Sequence, residues 1–140
     1  HLGLWQAVSE KDDLLDRILI VHRYLEGAGL DSGEMLLNKL TGAPEKQTRQ
    51  TVKRIVTEEV DHVAFGSLWF REICRTEKLD PELEFETRFL RLRASLPRRL
   101  TKMSFALRER AGFTSRELEF LELWRVEQLS RPAKAVSLDS

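Results

Sequence analysis

Hydrophobic residues recur every three to four positions along most of the chain, and the glycines and prolines fall between these apolar stretches. This period is typical of amphipathic α-helices, since a half-buried strand alternates every two residues instead. No Asn-Gly or Asp-Gly pair marks a hairpin turn anywhere in the sequence. The pattern therefore predicts an all-α fold.

Capping residues set the bounds of the first predicted helices. Ser9 is the predicted N-cap of a helix over residues 12–26, and the pair Gly27 and Gly29 is predicted to end it, because glycine adopts the left-handed C-cap conformation without a steric penalty. Asp31 has a glutamate three residues later, which is typical of a capping box. It predicts a short second helix that ends near Leu40.

A long third helix is predicted from Pro44 to Lys78. Further helices are predicted to begin at Asp80-Pro81 and at Thr114, and to end near Leu96 and Leu129. The predicted inner face of the long helix consists of Val52, Ile55, Val56, Glu59, His62, Val63, Gly66, Phe70 and Ile73.

Polar residues interrupt the apolar faces of two of these helices. Glu59 and His62 lie one turn apart on the long helix, and Glu26 lies on the first helix. An ionised carboxylate on a core face is costly unless it is paired, protonated or bound to a metal. A Glu facing a Glu-x-x-His is half of the ligand set with which helical bundles hold two iron or manganese ions.

Other interpretations of these residues remain open from spacing alone. The carboxylates would also be satisfied by buried arginines, or by His22, which lies one turn before Glu26. His22 is itself a candidate extra ligand or hydrogen-bond donor to Glu26, with simple packing as the alternative. Glu58 also lies one turn before His62, so spacing does not choose between Glu58 and Glu59.

Two segments resemble a ferritin-like family of unknown function in bacteria, which is similar in outline to the di-iron tRNA hydroxylase that acts on a modified adenosine. Residues 58–71, Glu-Glu-Val-Asp-His-Val-Ala-Phe-Gly-Ser-Leu-Trp-Phe-Arg, resemble the second metal helix of that family. Residues 25–31, Leu-Glu-Gly-Ala-Gly-Leu-Asp, resemble its Glu-Ala-Arg-Gly-Leu-Asp signature, with Ala28 where the family has Arg. Shorter similarities lie at Leu4-Trp5, residues 12–17 and residues 111–113.

The resemblance implies a ferritin-like bundle with a two-metal site of iron, or alternatively manganese. Its ligands in this chain would be Glu26, Glu59 and His62, with Glu59 preferred over Glu58. Family members have an earlier pair of helices with their own Glu and Glu-x-x-His, and this chain has one such motif. We therefore expect residues 1–129 to form half of a bundle that an N-terminal half or a second copy completes, with residues 130–140 as a flexible tail.

By the same resemblance the expected function is that of an oxidoreductase or oxygenase that uses dioxygen. Its substrate is unknown and would lie in an apolar cavity near Val63, Gly66 and Phe70. Whether the chain is an enzyme stays open at this point. The alternatives are iron storage and a metal-free helical interaction module.

The composition of the chain bears on its redox environment and on whether it could span a membrane. The chain has 23 basic and 23 acidic residues and one cysteine, so it has no net charge and no internal disulfide. The single cysteine fits a reducing compartment, and we expect a cytoplasmic protein. No apolar run approaches the about 20 residues that a membrane-spanning helix needs.

The charge is unevenly distributed, because residues 88–110 contain eight Arg and Lys residues against Glu109 alone. RNA contact by this segment is one interpretation. A solvated face that pairs with acids such as Glu82, Glu84 and Glu86 is the favoured one. Phe65, Trp69 and Phe70 are expected to pack in the core, and Cys74 is expected to be a small buried hydrophobe.

Overall fold

The computed structural model describes residues 9–131, which are helical and contain no strand, and so the prediction of an all-α fold is confirmed. Leu4-Trp5 and residues 132–140 of the predicted tail lie outside the described residues. In chain order the elements are α1 (Leu14–Ile18), a π-helical turn (Leu19–Leu25), α2 (Glu26–Lys39), α3 (Lys46–Thr76), α4 (Pro81–Leu92), a 3-10 turn (Arg93–Ser95), α5 (Phe105–Arg110) and α6 (Ser115–Ser130).

The first helix begins at Leu14, two residues later than predicted. Asp13 is the N-cap, and it forms a reciprocal capping box with Asp16. Ser9 instead closes a turn before the helix, where its backbone N–H donates to Asp12 Oδ2 at 2.6 Å. The prediction of Ser9 as N-cap is wrong because the Asp13–Asp16 pair satisfies two backbone N–H groups at once.

The prediction that Gly27 and Gly29 end a helix is also wrong, since both lie inside α2. These two glycines do not reverse the chain. They let side chains from other helices approach the backbone of α2 closely. A Cβ at Gly27 would lie 3.1 Å from Arg108 Nη1, and one at Gly29 would lie 3.4 Å from Glu59 Oε1. Asp31 does not begin a helix either, because its buried carboxylate binds Arg108.

The run α1–π turn–α2 packs antiparallel against α3. His22 lies against Gly66, Gly29 against Glu59, and Gly33 against Val56, so the contacts run in opposite directions along the two helices. A Cβ at Gly66 would lie only 2.3 Å from His22 Cβ. Glycines therefore determine how closely this pair of helices packs.

The C-terminal helices cover one flank of this pair with an aromatic core. Their predicted caps are confirmed: Asp80 and Pro81 begin α4, and Thr114 forms a capping box with Glu117 at α6. Cys74 is fully buried, as expected. The rings that pack against one another are those of Tyr24, Phe70, Phe85, Phe89, Phe113, Phe120 and Trp124.

The predicted inner face of the long helix is correct in part. Val56, Val63, Gly66 and Phe70 are buried, whereas Ile55 and His62 are exposed. Val60, Ser67 and Cys74 are buried in their place. The buried face is rotated because α3 packs against the first helical run on one flank and against α4 and α5 on the other.

Among the described residues, no helix is long and apolar enough to cross a membrane.

Candidate metal centre

The π-helical turn places His22 and Glu26 together on the side of the molecule that the C-terminal helices leave open. The Glu26 N–H bonds to the carbonyl oxygen of Val21, five residues earlier, which is the wider hydrogen-bond spacing of a π-helix. His22 Nδ1 lies 2.8 Å from Glu26 Oε2. Of the two roles expected for His22, the structure shows the geometry of a hydrogen-bond partner of Glu26.

Helix α3 brings Glu59 to the same side, facing α2. Glu59 Oε1 is near Gly29, and Glu59 Oε2 lies 3.8 Å from His62 Nδ1. Glu58 points elsewhere, because its carboxylate pairs with Arg54 at 3.2 Å on the exposed surface. The structure therefore places Glu59, and not Glu58, across from Glu26.

The two site carboxylates influence each other electrostatically. Burial raises the pKa of Glu59, and the negative charge of Glu26 raises it further. The imidazoles of His62 and His22 lower the pKa of Glu59. A cation bound between the two helices would relieve the repulsion between the carboxylates.

These carboxylates differ from the buried acids elsewhere in the chain, each of which is bound by arginine. Asp16 binds Arg88 and Arg91, Asp31 binds Arg108, and Glu117 binds Arg23. Within residues 9–131, the side chains that pair with Glu26 and Glu59 are imidazoles only. Carboxylates and imidazoles, with no guanidinium paired to them among these residues, are donor types that iron and manganese accept.

The donors nevertheless do not form a closed site. The His62 side chain is 66% exposed. In the part of the chain that the structure describes, no three His, Cys, Asp or Glu side chains are grouped so that they could hold a metal ion. These residues therefore present donors on an open surface, and a complete site requires further donors opposite them.

Large apolar residues lie beside His22 on this open surface. The core packing predicted for Phe65 and Trp69 is wrong: their rings meet edge to face with centroids 6.0 Å apart, and both are about half exposed. Only Phe70 of that predicted cluster is in the core. The other exposed apolar residues of α1 and α3 are Leu14, Ile55 and Leu68.

A groove of about 270 Å³ lies beside His22 on this surface. Of the three residues expected near a substrate cavity, only Gly66 borders this groove, because Val63 and Phe70 are fully buried. Sequence reasoning missed the role of Gly66, although a glycine inside a strongly helical segment is a signal of close packing. The groove is lined by Leu14, Ile18, His22, Phe65, Gly66, Trp69 and Ile73.

Comparison with known proteins places the chain in a family. An uncharacterized protein of Haemophilus influenzae is 28% identical over 129 residues, which are 91% of this chain and 43% of that protein. The chain thus spans less than half the length of this relative. No solved structure matches the chain. The profile of one family matches residues 1–119, and the chain belongs to that family, which is described as Protein of unknown function (DUF455).

Proposed function

We propose that this chain supplies half of a two-metal carboxylate centre in a ferritin-like bundle, and that the protein is an oxidoreductase that uses dioxygen on an organic substrate. The observation that supports this most is the position of Glu26 and Glu59. They face each other from neighbouring helices. Among the described residues, the side chains that pair with them are imidazoles only.

The ligand count matches half of such a centre. Bundles of this type use a Glu from each of two helices and a Glu-x-x-His from each of the other two. This chain offers Glu26 on α2 and the pair Glu59 and His62 on α3. A second helical pair, from another copy or from the rest of a longer protein, would supply the other half and cover the exposed apolar residues.

Each residue has a definite role in this proposal. Glu26 and Glu59 bind the metals through carboxylate oxygens, and His62 binds through an imidazole nitrogen. His22 holds Glu26 in place by their hydrogen bond. Two bound iron or manganese ions would provide the redox chemistry by which dioxygen is reduced and the substrate is oxidised. The groove beside His22 would bind the apolar part of the substrate and exclude water.

A metal-free interaction module is the second candidate. The observation that favours it is the exposed apolar surface of Leu14, Ile55, Phe65, Leu68 and Trp69, which is typical of a protein–protein contact. In that case another helical protein would cover Glu26 and Glu59, and its basic residues would neutralise them.

Metal analysis separates the two candidates. The protein is purified with every residue that its gene encodes, loaded anaerobically with Fe(II) or Mn(II), and its bound metal is measured. We expect two metal ions per bundle, loss of metal in Glu59→Ala, and retention in the control Glu58→Ala. No bound metal, or an unchanged content in Glu59→Ala, would overturn the proposal.

Oxygen consumption without added substrate then tests the enzymatic part. Consumption that stops after one turnover per centre agrees with an oxidoreductase that awaits its substrate. Continued oxidation of iron in large excess over the protein would indicate storage instead, and would overturn the proposal of an oxidoreductase.

A further inference from the structure

The basic segment 88–110 contains two kinds of basic residue. Arg88, Arg91 and Arg108 bind carboxylates of Asp13, Asp16, Glu84 and Asp31, so the predicted pairing with acids is correct for these three. The remaining five have no carboxylate within 4 Å in the part of the chain that the structure describes. They are Arg93, Arg98, Arg99, Lys102 and Arg110.

Of the acids expected to neutralise this segment, only Glu84 does so, through Arg88. Glu82 accepts a hydrogen bond from the Thr114 hydroxyl, and Glu86 binds Arg116. None of the five residues therefore forms an ion pair with these three acids.

Four of the five unpaired residues lie in residues 93–102, a stretch without any acidic residue between α4 and α5. Two hollows that share Trp124 as a lining residue are found there. The larger one, which we name the basic groove, holds about 420 Å³. Among residues 9–131 it is lined by three guanidinium groups and no carboxylate, its lining residues being Arg93, Ala94, Leu96, Arg98, Trp124, Gln128 and Arg131. The smaller hollow next to it is lined by Arg99, Arg108 and Arg125 together with Asp31, and there Asp31 binds Arg108 and Glu122 binds Arg125.

The guanidinium groups of the basic groove differ in the partners that hold them. Arg98 donates to the carbonyl oxygen of Gln128 at 2.6 Å, and Arg131 binds Glu127, so both are held against the end of α6. Arg93 makes no side-chain hydrogen bond within residues 9–131 and is exposed. Since Glu127 neutralises Arg131, Arg93 and Arg98 are the two like charges at the groove without a carboxylate partner among the described residues, and a bound anion relieves the repulsion between them.

We infer that the basic groove binds the phosphate groups of a nucleotide, either free or within a nucleic-acid strand. The planar fork of arginine matches phosphate oxygens in a bidentate geometry. A volume of about 420 Å³ is within the range of small-ligand sites. Leu96 and Trp124 also line the groove, and since each is only 7% exposed they add a small apolar contact for a base or sugar. No residue of the basic groove belongs to the candidate metal centre, so this inference does not depend on the proposed function.

Binding is tested with the purified protein and three probes: inorganic phosphate, a nucleoside triphosphate, and a fluorescently labelled single-stranded RNA of ten nucleotides. Affinity is measured at low and at physiological salt. We expect binding that weakens as salt rises, because counterions compete for the arginines. A strand that binds much more tightly than the triphosphate indicates a nucleic-acid ligand, and similar affinities indicate a free nucleotide. Both outcomes support the inference.

The variant Arg93→Ala identifies the site. It removes an exposed side chain without a structural partner, so folding should be unaffected, which circular dichroism checks. We expect about a tenfold loss of affinity, as for removal of a charge-assisted hydrogen bond. The matched control Lys53→Ala removes one positive charge from α3, outside both hollows, and should bind as the unaltered protein does.

Two results would overturn the inference. One is that none of the three probes binds at low salt. The other is that Arg93→Ala and Lys53→Ala weaken binding equally, which would show a general charge effect instead of a site at the basic groove.

Discussion

Two adjacent residues of the π-helical turn face two very different regions of the molecule. Arg23 is 1% exposed, binds Glu117, and lies over the rings of Phe70, Phe85 and Phe113 at 4.5 to 5.4 Å from their centroids. His22, next to it, lies on the open surface and binds Glu26. We refer to the surroundings of Arg23 as the closed side and to those of His22 as the open side.

The comparison shows how the same kind of side chain serves two purposes. On the closed side the buried carboxylate of Glu117 is neutralised by Arg23, whose guanidinium lies among aromatic rings, so the pair stabilises one arrangement of the helices. On the open side Glu26 and Glu59 have weaker partners and remain accessible. Carboxylates that the fold does not neutralise are those that a ligand can use.

The largest expected effect is on the closed side. Glu117→Gln leaves the Arg23 guanidinium buried without a counter-charge, and we expect a loss of about 3–5 kcal/mol in the free energy of unfolding. The exposed pair of Glu86 with Arg116 provides the control, since Glu86→Gln should cost no more than about 1 kcal/mol. Urea denaturation measures both. Equal losses would show that the closed side is no more dependent on its ion pairs than the surface is.

The next largest effect on stability is expected where the first helical run contacts α3. In Gly66→Ala the new Cβ would lie 2.3 Å from His22 Cβ, so the helices must separate, and we expect a loss of about 1–3 kcal/mol. At Gly29 the Cβ would lie 3.4 Å from Glu59 Oε1, which is an ordinary contact. Gly29→Ala should therefore be neutral or stabilise the protein by up to about 1 kcal/mol, through its higher helix propensity. Thermal unfolding that ranks the two variants the other way would contradict this packing.

A smaller effect is expected for the pH dependence of the open side. Burial and Glu26 raise the pKa of Glu59, so the folded protein keeps that proton to a higher pH than the unfolded chain does. Stability without metal should therefore fall as pH rises from the ordinary glutamate pKa through the raised one. Glu59→Gln removes this penalty, so the metal-free variant should unfold at a higher temperature at pH 7, with the difference shrinking at acidic pH. Glu58→Gln is the control, and the same pH-dependent gain there would rule out this cause.

The smallest effect is expected at an exposed residue of the open side. Trp69 is about half exposed, and we expect Trp69→Ser to change the free energy of unfolding of this chain by less than about 0.5 kcal/mol. Trp124→Ala in the aromatic core should cost about 3–5 kcal/mol. Chemical denaturation at several protein concentrations distinguishes the two cases. A large, concentration-dependent loss in Trp69→Ser would show that another copy covers the open side in solution.

Much of the helical framework could be predicted from local signals. The prediction of Asp80 and Thr114 as capping residues is confirmed, because a cap depends on a few neighbouring residues alone. The glycines at 27 and 29 were misjudged because their role lies in contacts with Arg108 and Glu59, which are distant in sequence. Helical spacing did identify Glu26, Glu59 and His62 as candidates, and the structure was needed to show that Glu59, and not Glu58, faces Glu26.

The sequence by itself determined the all-α class and the existence of polar positions on apolar faces, since both follow from periodicity along one helix. Only the tertiary structure decided which flank of α3 is buried, which carboxylates arginine neutralises, and which arginines remain unpaired around the basic groove. Those outcomes depend on how helices far apart in sequence pack together. Burial and charge pairing are properties of such contacts, and no local pattern contains them.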